Sequence, residues 1–96
     1  MVFSLSFSKY LPSLCLSSLR KHPRDIFQRA LLSNACRILI AHNHPSNKPN
    51  PSKEDDIVTE NIESCGKMLN IELLDHIIVG QNTYYSYREN NRIGAV

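Results

Sequence analysis

The residues of this chain best suited to chemistry are two histidines and an aspartate with the spacing of a metal site. His42 and His44 stand in the string His-Asn-His-Pro. Eight residues after His44, a Ser-x-x-Asp string runs from Ser52 to Asp55. Side chains two positions apart on a strand point the same way, so the two imidazoles would project together. Two imidazoles and a carboxylate would leave a fourth tetrahedral position for water, which is typical of catalytic zinc.

A bare His-x-His string is weak evidence, because two polar residues at the end of a strand give the same pattern. The combination of His-x-His-Pro with Ser-x-x-Asp is much more specific. His76 lies in an apolar run and could be a fourth ligand. A hydrogen-bonded structural histidine is the better interpretation of that residue.

The elements that must hold these residues begin at Pro23, which suits the first turn of a helix. The apolar face of this helix is predicted to contain Ile26, Phe27, Ala30 and Leu31. The apolar run from 37 to 41 predicts a strand buried on both faces, and Pro45 ends it. The histidines would therefore stand at the end of a buried strand.

Ser52 is a predicted N-cap of the next helix, with Asp55 in the capping-box position. A helical stripe follows at Val58, Ile62, Cys65 and Leu69. The run 71–79 predicts a strand, 80–82 a turn, and 83–87 a strand that pairs back as a hairpin. The order helix, strand, helix, strand, strand indicates a layered α/β domain.

Composition limits the alternatives. The chain has 96 residues, enough for one small domain, and its apolar share of 42% is that of an ordinary globular protein. The three cysteines lack a CxxC spacing, which argues against a disulfide framework and favours a reducing cytoplasm. Lys9 and Pro12 interrupt the Ser- and Leu-rich N-terminus, so we expect no membrane span. The formal charge of +2 is too small to predict nucleic-acid binding.

The segment from His42 to Asp55 resembles the RadC family of JAMM/MPN+ (JAB-type) domains. The junction 30–41 and the run 72–79 add to the resemblance, which covers roughly residues 22–89. It implies an α/β, MPN/JAB-like (cytidine-deaminase-like) fold with a mixed sheet flanked by helices. We expect residues 1–21 to lie outside the family and 22–96 to form the domain.

The resemblance also implies a function. It predicts a zinc-dependent metallohydrolase that cleaves an amide or isopeptide bond. His42, His44 and Asp55 would bind one zinc ion, and Ser52 would donate a hydrogen bond to the oxyanion on the substrate carbonyl. Any association with DNA would come from the history of the family alone, because this chain has no recognisable nucleic-acid-binding motif.

The sequence departs from the family in its first part. The family resemblance requires a general-base glutamate upstream of the histidines, and this chain has no glutamate before Glu54. Asp25 is the only upstream acid and stands on the wrong element for that role. We therefore expect the family's opening strands to be missing, as in a shortened family member whose sheet a partner or a second copy could complete. Loss of a base removes about 10²–10⁴ in rate, so little turnover is expected.

Two other hypotheses stay open. A non-catalytic, MPN-like scaffold would not need an open metal position, so the retention of all three ligands argues against it. A degenerate gene fragment that never folds stably would agree with the missing strands.

Overall fold

The computed structural model describes residues 2–8, 14–19, 23–44 and 48–94. The elements in chain order are β1 Val2–Ser8, β2 Leu14–Leu19, α1 Pro23–Leu32, β3 Ala35–Asn43, α2 Lys53–Leu69, β4 Glu72–Val79 and β5 Tyr84–Ser86. All five strands belong to one sheet, in the order β2-β1-β3-β4-β5. In the part of the chain that the structure describes, no helix is both long and apolar enough to cross a membrane.

The sheet is mixed, and β3 lies at its centre. β3 pairs antiparallel with β1 and parallel with β4, and β4 pairs antiparallel with β5. Parallel neighbours need a crossover, which α2 supplies. α1 packs against β3, α2 packs against β4, and the two helices contact each other. The predicted α/β fold with a mixed sheet and flanking helices is therefore confirmed.

The two helices begin and end where the local sequence predicts. Pro23 opens α1, and the left-handed backbone of Asn34, with φ 54°, follows its last turn. Ser52 caps α2, and Asn70 ends it in the left-handed region. Asparagine tolerates this conformation better than most residues, so it can stop a helix in place of glycine.

The core lies between the helices and one face of the sheet. Its buried apolar residues are Ile26, Phe27, Ala30, Ile38, Ile40, Ile62, Ile71, Leu73, Ile78, Tyr87 and Ile93. Leu31 was expected on the apolar face of α1 but is 55% exposed. At 3.6 residues per turn, a position five residues after Ile26 has rotated well past the core side, which corrects that prediction.

A β-bulge in β4 decides which of its side chains reach the core. The parallel register pairs Ile38 with Leu73 but Leu39 with Asp75, so Leu74 is an extra residue. A regular strand would turn Leu73 and His76 to opposite faces. The bulge instead buries Leu73, His76 and Ile78 on the same side.

Two strands lie ahead of α1, where the opening strands of the domain were expected to be missing. β1 pairs with β2 as an antiparallel pair and with the central strand β3, where Val2 lies opposite His42. The sheet thus continues across the expected boundary at residue 22. The sequence of β1 alternates Phe3, Leu5 and Phe7 with serines, the period of a strand. The serines lower its mean hydropathy, so the apolar pattern alone does not predict a strand there.

Candidate metal centre

The central strand positions the two histidines. Side chains of β3 alternate, with Ile38, Ile40 and His42 buried on the helix side of the sheet. His44 follows the last residue of the strand, and its backbone N–H donates to the carbonyl of Val79 at 3.1 Å. The parallel pairing with β4 thus extends to His44 and holds its imidazole beside that of His42. The His44 side chain is 19% exposed.

The first turn of α2 positions the aspartate. The Asp55 backbone N–H donates to Ser52 Oγ at 3.1 Å, and the Ser52 backbone N–H donates to Asp55 Oδ2 at 2.9 Å. This reciprocal pair is the predicted capping box, with an aspartate in place of the usual glutamate. The Asp55 side chain is 1% exposed, and its negative charge lies at the positive end of the helix dipole.

The three predicted ligands meet at one point. His42 Nε2 lies 3.3 Å from Asp55 Oδ1, and His44 Nε2 lies 3.1 Å from Asp55 Oδ2. One possible ligand atom from each residue lies within 4.8 Å of the others, so the group could hold a metal ion. The end of β3 and the first turn of α2 lie at the same end of the sheet. Two sequence motifs that are separated along the chain therefore form one cluster.

A second layer of buried polar groups lies behind His42. His42 Nδ1 is 2.9 Å from His76 Nε2, and His76 Nδ1 is 2.5 Å from Thr59 Oγ1. The Thr59 hydroxyl donates to the backbone carbonyl of Asp55 at 2.8 Å. Both ring nitrogens of His76 thus have protein partners. This agrees with the interpretation of His76 as a hydrogen-bonded structural histidine and not with its use as a fourth metal ligand. Sequence analysis missed Thr59, although its position four residues after Asp55 places the two on one helix face.

Tyr87 closes the far side of this layer. Its ring stacks on that of His76, with centroids 5.0 Å apart and planes 4° from parallel. The Tyr87 hydroxyl donates to Asp56 Oδ1 at 2.8 Å, and Arg92 lies 4.8 Å over the ring. Burial, followed by the hydrogen bond to Asp56, raises the pKa of Tyr87 above the usual value of 10.0. The phenol is therefore a neutral structural group at physiological pH.

The remaining predicted site residues lie at different distances from this cluster. Ser52 is exposed, and its hydroxyl donates to Asp55 Oδ2 at 2.8 Å. Asp25 lies in the first turn of α1 and does not belong to the possible metal-holding group found among the described residues. The structure thus brings Ser52 to the cluster and gives Asp25 no place in it.

A cavity lies at a different place in the described part of the chain. It has a volume of about 590 Å³ and opens where β3 and β4 begin, lined in part by Arg37, Lys67 and Glu72. The three predicted ligands do not line it. Because the histidines stand at the opposite ends of these strands, this cavity is separate from the candidate metal centre.

The sequence of this chain matches a known family and several of its members. The sequence profile of the RadC-like JAB domain matches residues 14–92, so the match begins inside the segment expected to lie outside the family. A "UPF0758 protein" of Clostridium botulinum (strain Langeland) is 46% identical over 88 residues, which are 88% of this chain and 39% of that protein.

Two further relatives agree. A "UPF0758 protein" of Clostridium botulinum (strain Hall) is 50% identical over 78 residues, 81% of this chain and 34% of its own length. One from Thermotoga maritima is 44% identical over 72 residues, 75% of this chain and 32% of its own length. The chain thus spans 32–39% of the length of these three relatives. On the profile match and these identities, the chain belongs to the family of RadC-like JAB domains.

Proposed function

We propose that this chain is a zinc-dependent metallohydrolase domain of the JAMM type, acting on an amide or isopeptide bond of a peptide-like substrate. The observation that carries the proposal is the convergence of His42, His44 and Asp55 at one point. His42 Nε2 lies 3.3 Å from Asp55 Oδ1, His44 Nε2 lies 3.1 Å from Asp55 Oδ2, and one ligand atom of each residue lies within 4.8 Å of the others. Two imidazoles and a carboxylate are a ligand set that suits zinc.

Each ligand has a defined part. The two imidazoles supply neutral nitrogen ligands, and the Asp55 carboxylate supplies the negative charge that offsets part of the charge of the ion. When bound, zinc would polarise a carbonyl and lower the pKa of a coordinated water to about 7. The partial exposure of His44 leaves the site open on one side.

Ser52 is the proposed oxyanion donor. It is exposed at the rim of the cluster, and its hydroxyl now donates to Asp55 Oδ2. To donate to a substrate carbonyl, the hydroxyl must rotate away from that carboxylate. Rotation about the Cβ–Oγ bond moves only the hydroxyl hydrogen, so Ser52 Oγ can still accept from the Asp55 N–H and the Ser52 N–H can still donate to Asp55 Oδ2.

Turnover by this cluster alone is expected to be slow. Among the described residues, the acid Asp25 on α1 is not part of the possible metal-holding group, so the cluster itself contains no separate general base. Without a general base, the rate falls by about 10²–10⁴, unless a partner supplies the base. The same observation favours a second candidate, a zinc-binding module without catalysis. We place either function in the cytoplasm, because the spacing of the cysteines does not predict disulfides.

Metal content decides whether the site exists. Elemental analysis of the purified chain should find about one zinc per chain. His44→Ala removes a ligand and should lose the zinc, whereas Asn43→Ala, an exposed neighbour on β3, should retain it. A folded wild-type chain without zinc, or equal loss in both variants, would contradict the proposal. An assay for cleavage of an isopeptide-linked peptide by the zinc-loaded chain then distinguishes the two candidates. Cleavage indicates a slow hydrolase, and no cleavage indicates a zinc-binding module without catalysis.

A further inference from the structure

A buried chain of hydrogen-bonding groups runs from a backbone carbonyl to the ring nitrogen of His42 that faces away from the candidate metal centre. It begins at the carbonyl of Asp55, passes through the Thr59 hydroxyl and the His76 ring, and ends at His42 Nδ1. Thr59, His76 and His42 are 3%, 2% and 2% exposed. None of these contacts takes part in the proposed hydrolysis, so their role needs its own explanation.

Donor and acceptor roles along this chain follow when each of its contacts is taken as a hydrogen bond. A carbonyl oxygen can only accept, so the single hydroxyl proton of Thr59 goes to Asp55. The Thr59 oxygen must then accept from His76, which places a proton on His76 Nδ1. With its proton on Nδ1, His76 can accept at Nε2, and His42 then donates to it from Nδ1.

We infer that Thr59 and His76 are positioning residues that hold His42 in the tautomer able to bind a metal through Nε2. This inference rests on the proposed function, since it assumes that the cluster holds a metal ion. A ring nitrogen that carries a hydrogen has no lone pair to offer, so the hydrogen bond at the other nitrogen selects the usable one. The selection is made inside the protein, before any metal arrives.

The contact between His42 and Asp55 is where this assignment has its effect. With its proton on Nδ1, His42 directs the Nε2 lone pair towards Asp55 Oδ1, 3.3 Å away. Two acceptors at that distance repel each other, and a cation between them removes the repulsion. The chain of groups thus makes a cation the favourable occupant of the space between imidazole and carboxylate.

The opposite assignment gives a distinct alternative. If His76 carried protons on both nitrogens, His42 Nδ1 would accept, and His42 Nε2 would donate to Asp55 Oδ1. The imidazole would then form an ordinary hydrogen bond with the carboxylate and would have to lose a proton before binding a metal. The two assignments differ in one observable, the nitrogen of His42 that bears the hydrogen.

The direct test uses the wild-type chain labelled with ¹⁵N-histidine and stripped of metal with a chelator. A two-bond ¹H–¹⁵N correlation spectrum at neutral pH should show His42 and His76 both protonated on Nδ1 only. Signals are assigned with His42→Asn and His76→Gln. A hydrogen on His42 Nε2 in the metal-free protein overturns the inference, whether or not zinc binds.

A second measurement tests the consequence for metal affinity. Thr59→Val removes the hydroxyl and should weaken zinc binding about 10–100-fold, measured by competition with a chromophoric chelator. Thr59→Ser keeps the hydroxyl and should bind zinc nearly as well as wild type. Equal affinity in Thr59→Val and wild type would contradict the inference; if circular dichroism shows Thr59→Val to be unfolded, the wild-type spectrum decides.

The two proposals fail in different ways. If the wild-type chain binds no zinc but shows His42 protonated on Nδ1, the proposed function is wrong and the tautomer assignment stands. If zinc binds while the metal-free protein carries the hydrogen on His42 Nε2, the function stands and the positioning role is wrong.

Discussion

At the scale of single residues, one carboxylate joins the helix to the candidate metal centre. Asp55 Oδ2 accepts from the backbone N–H and the hydroxyl of Ser52 and lies 3.1 Å from His44 Nε2, while Oδ1 faces His42. The same side chain therefore caps α2 and presents an oxygen to both histidines. A change at Ser52 should affect helix stability and the orientation of Asp55 together.

We predict that Ser52→Ala lowers the free energy of unfolding by about 1 kcal/mol, because the Asp55 N–H loses its capping acceptor. Urea denaturation in the presence of a chelator measures this cost without a contribution from bound metal. Ser52→Thr keeps the capping oxygen and should stay within a few tenths of a kcal/mol of wild type. Equal stability of Ser52→Ala and wild type would show that the cap contributes nothing.

The sequence could predict that the side chains of the candidate metal centre lie close together, but not the groups behind them. His42, His44, Ser52 and Asp55 lie within short strings whose spacing follows from one strand and one helix turn. The contact between His42 and His76 depends on the register between parallel strands and on the bulge at Leu74. Local sequence sets neither the strand register nor the bulge. The sequence could therefore predict that His76 is a structural histidine, but not which residues it contacts.

At the scale of elements, the junction between α2 and β4 is unusually close. Asn70 ends the helix with φ 59°, and the Ile71 N–H donates back to the carbonyl of Gly66 at 2.7 Å. A Cβ added at Gly66 would lie 2.3 Å from the Ile71 carbonyl oxygen, a backbone atom. The glycine is needed there because the start of β4 passes directly over it.

Gly66→Ala should therefore destabilise the fold although alanine is the better helix former. Its gain of about 1 kcal/mol in helix propensity is outweighed by displacement of the strand, for a net loss of about 2 kcal/mol. Ser64→Ala is the matched control, since it is exposed on the same helix and should be neutral or slightly stabilising. Urea denaturation of both variants checks the difference, and a stabilised Gly66→Ala would refute the close-approach argument.

Element prediction succeeded where apolar periodicity was strong. The helices at 23–32 and 53–69 and the strands at 72–79 and 84–86 lie where the pattern predicts them, within a residue or two. β3 extends two residues beyond the predicted apolar run at each end, because pairing on both sides lengthens it. β1 was missed because its serines hide a period of two, and β2, which pairs with β1 alone in the described sheet, has no regular alternation to reveal it.

At the scale of the whole molecule, the segment after β5 folds back onto α2. The Tyr87 hydroxyl and the Arg92 guanidinium both contact Asp56 Oδ1, at 2.8 and 2.7 Å. The buried Ile93 joins the core near the end of the described chain. The last strand and the crossover helix are thereby joined on the side of the core where Tyr87 stacks on His76.

Because of this contact, we expect the free energy of unfolding to depend on pH in the alkaline range. Burial and the Asp56 hydrogen bond raise the pKa of Tyr87 in the folded chain above the 10.0 expected when unfolded. A group whose pKa rises on folding stabilises fully below its unfolded pKa and loses that stabilisation as pH rises towards its folded pKa. We therefore expect the free energy of unfolding to fall as pH increases above about 10.

Urea denaturation between about pH 7 and pH 11 should show this fall for wild type and a shallower one for Tyr87→Phe. The matched control is Tyr84→Phe, because Tyr84 is 55% exposed and donates to Glu89 at the surface. Its profile should follow that of wild type closely. Identical profiles for wild type and Tyr87→Phe would show that the phenol does not couple to folding.

The bulge in β4 also determines which changes of chain length the molecule can accept over evolutionary time. Leu74 is the extra residue, so its deletion would restore a regular ladder and still leave Leu73, His76 and Ile78 facing the core. Deletion of Ile77 would turn Ile78 outwards, because one residue reverses every side chain beyond it. Descendants of this sequence can therefore shorten β4 at position 74, while the stretch from His76 to Ile78 must keep its length for the histidine layer to survive.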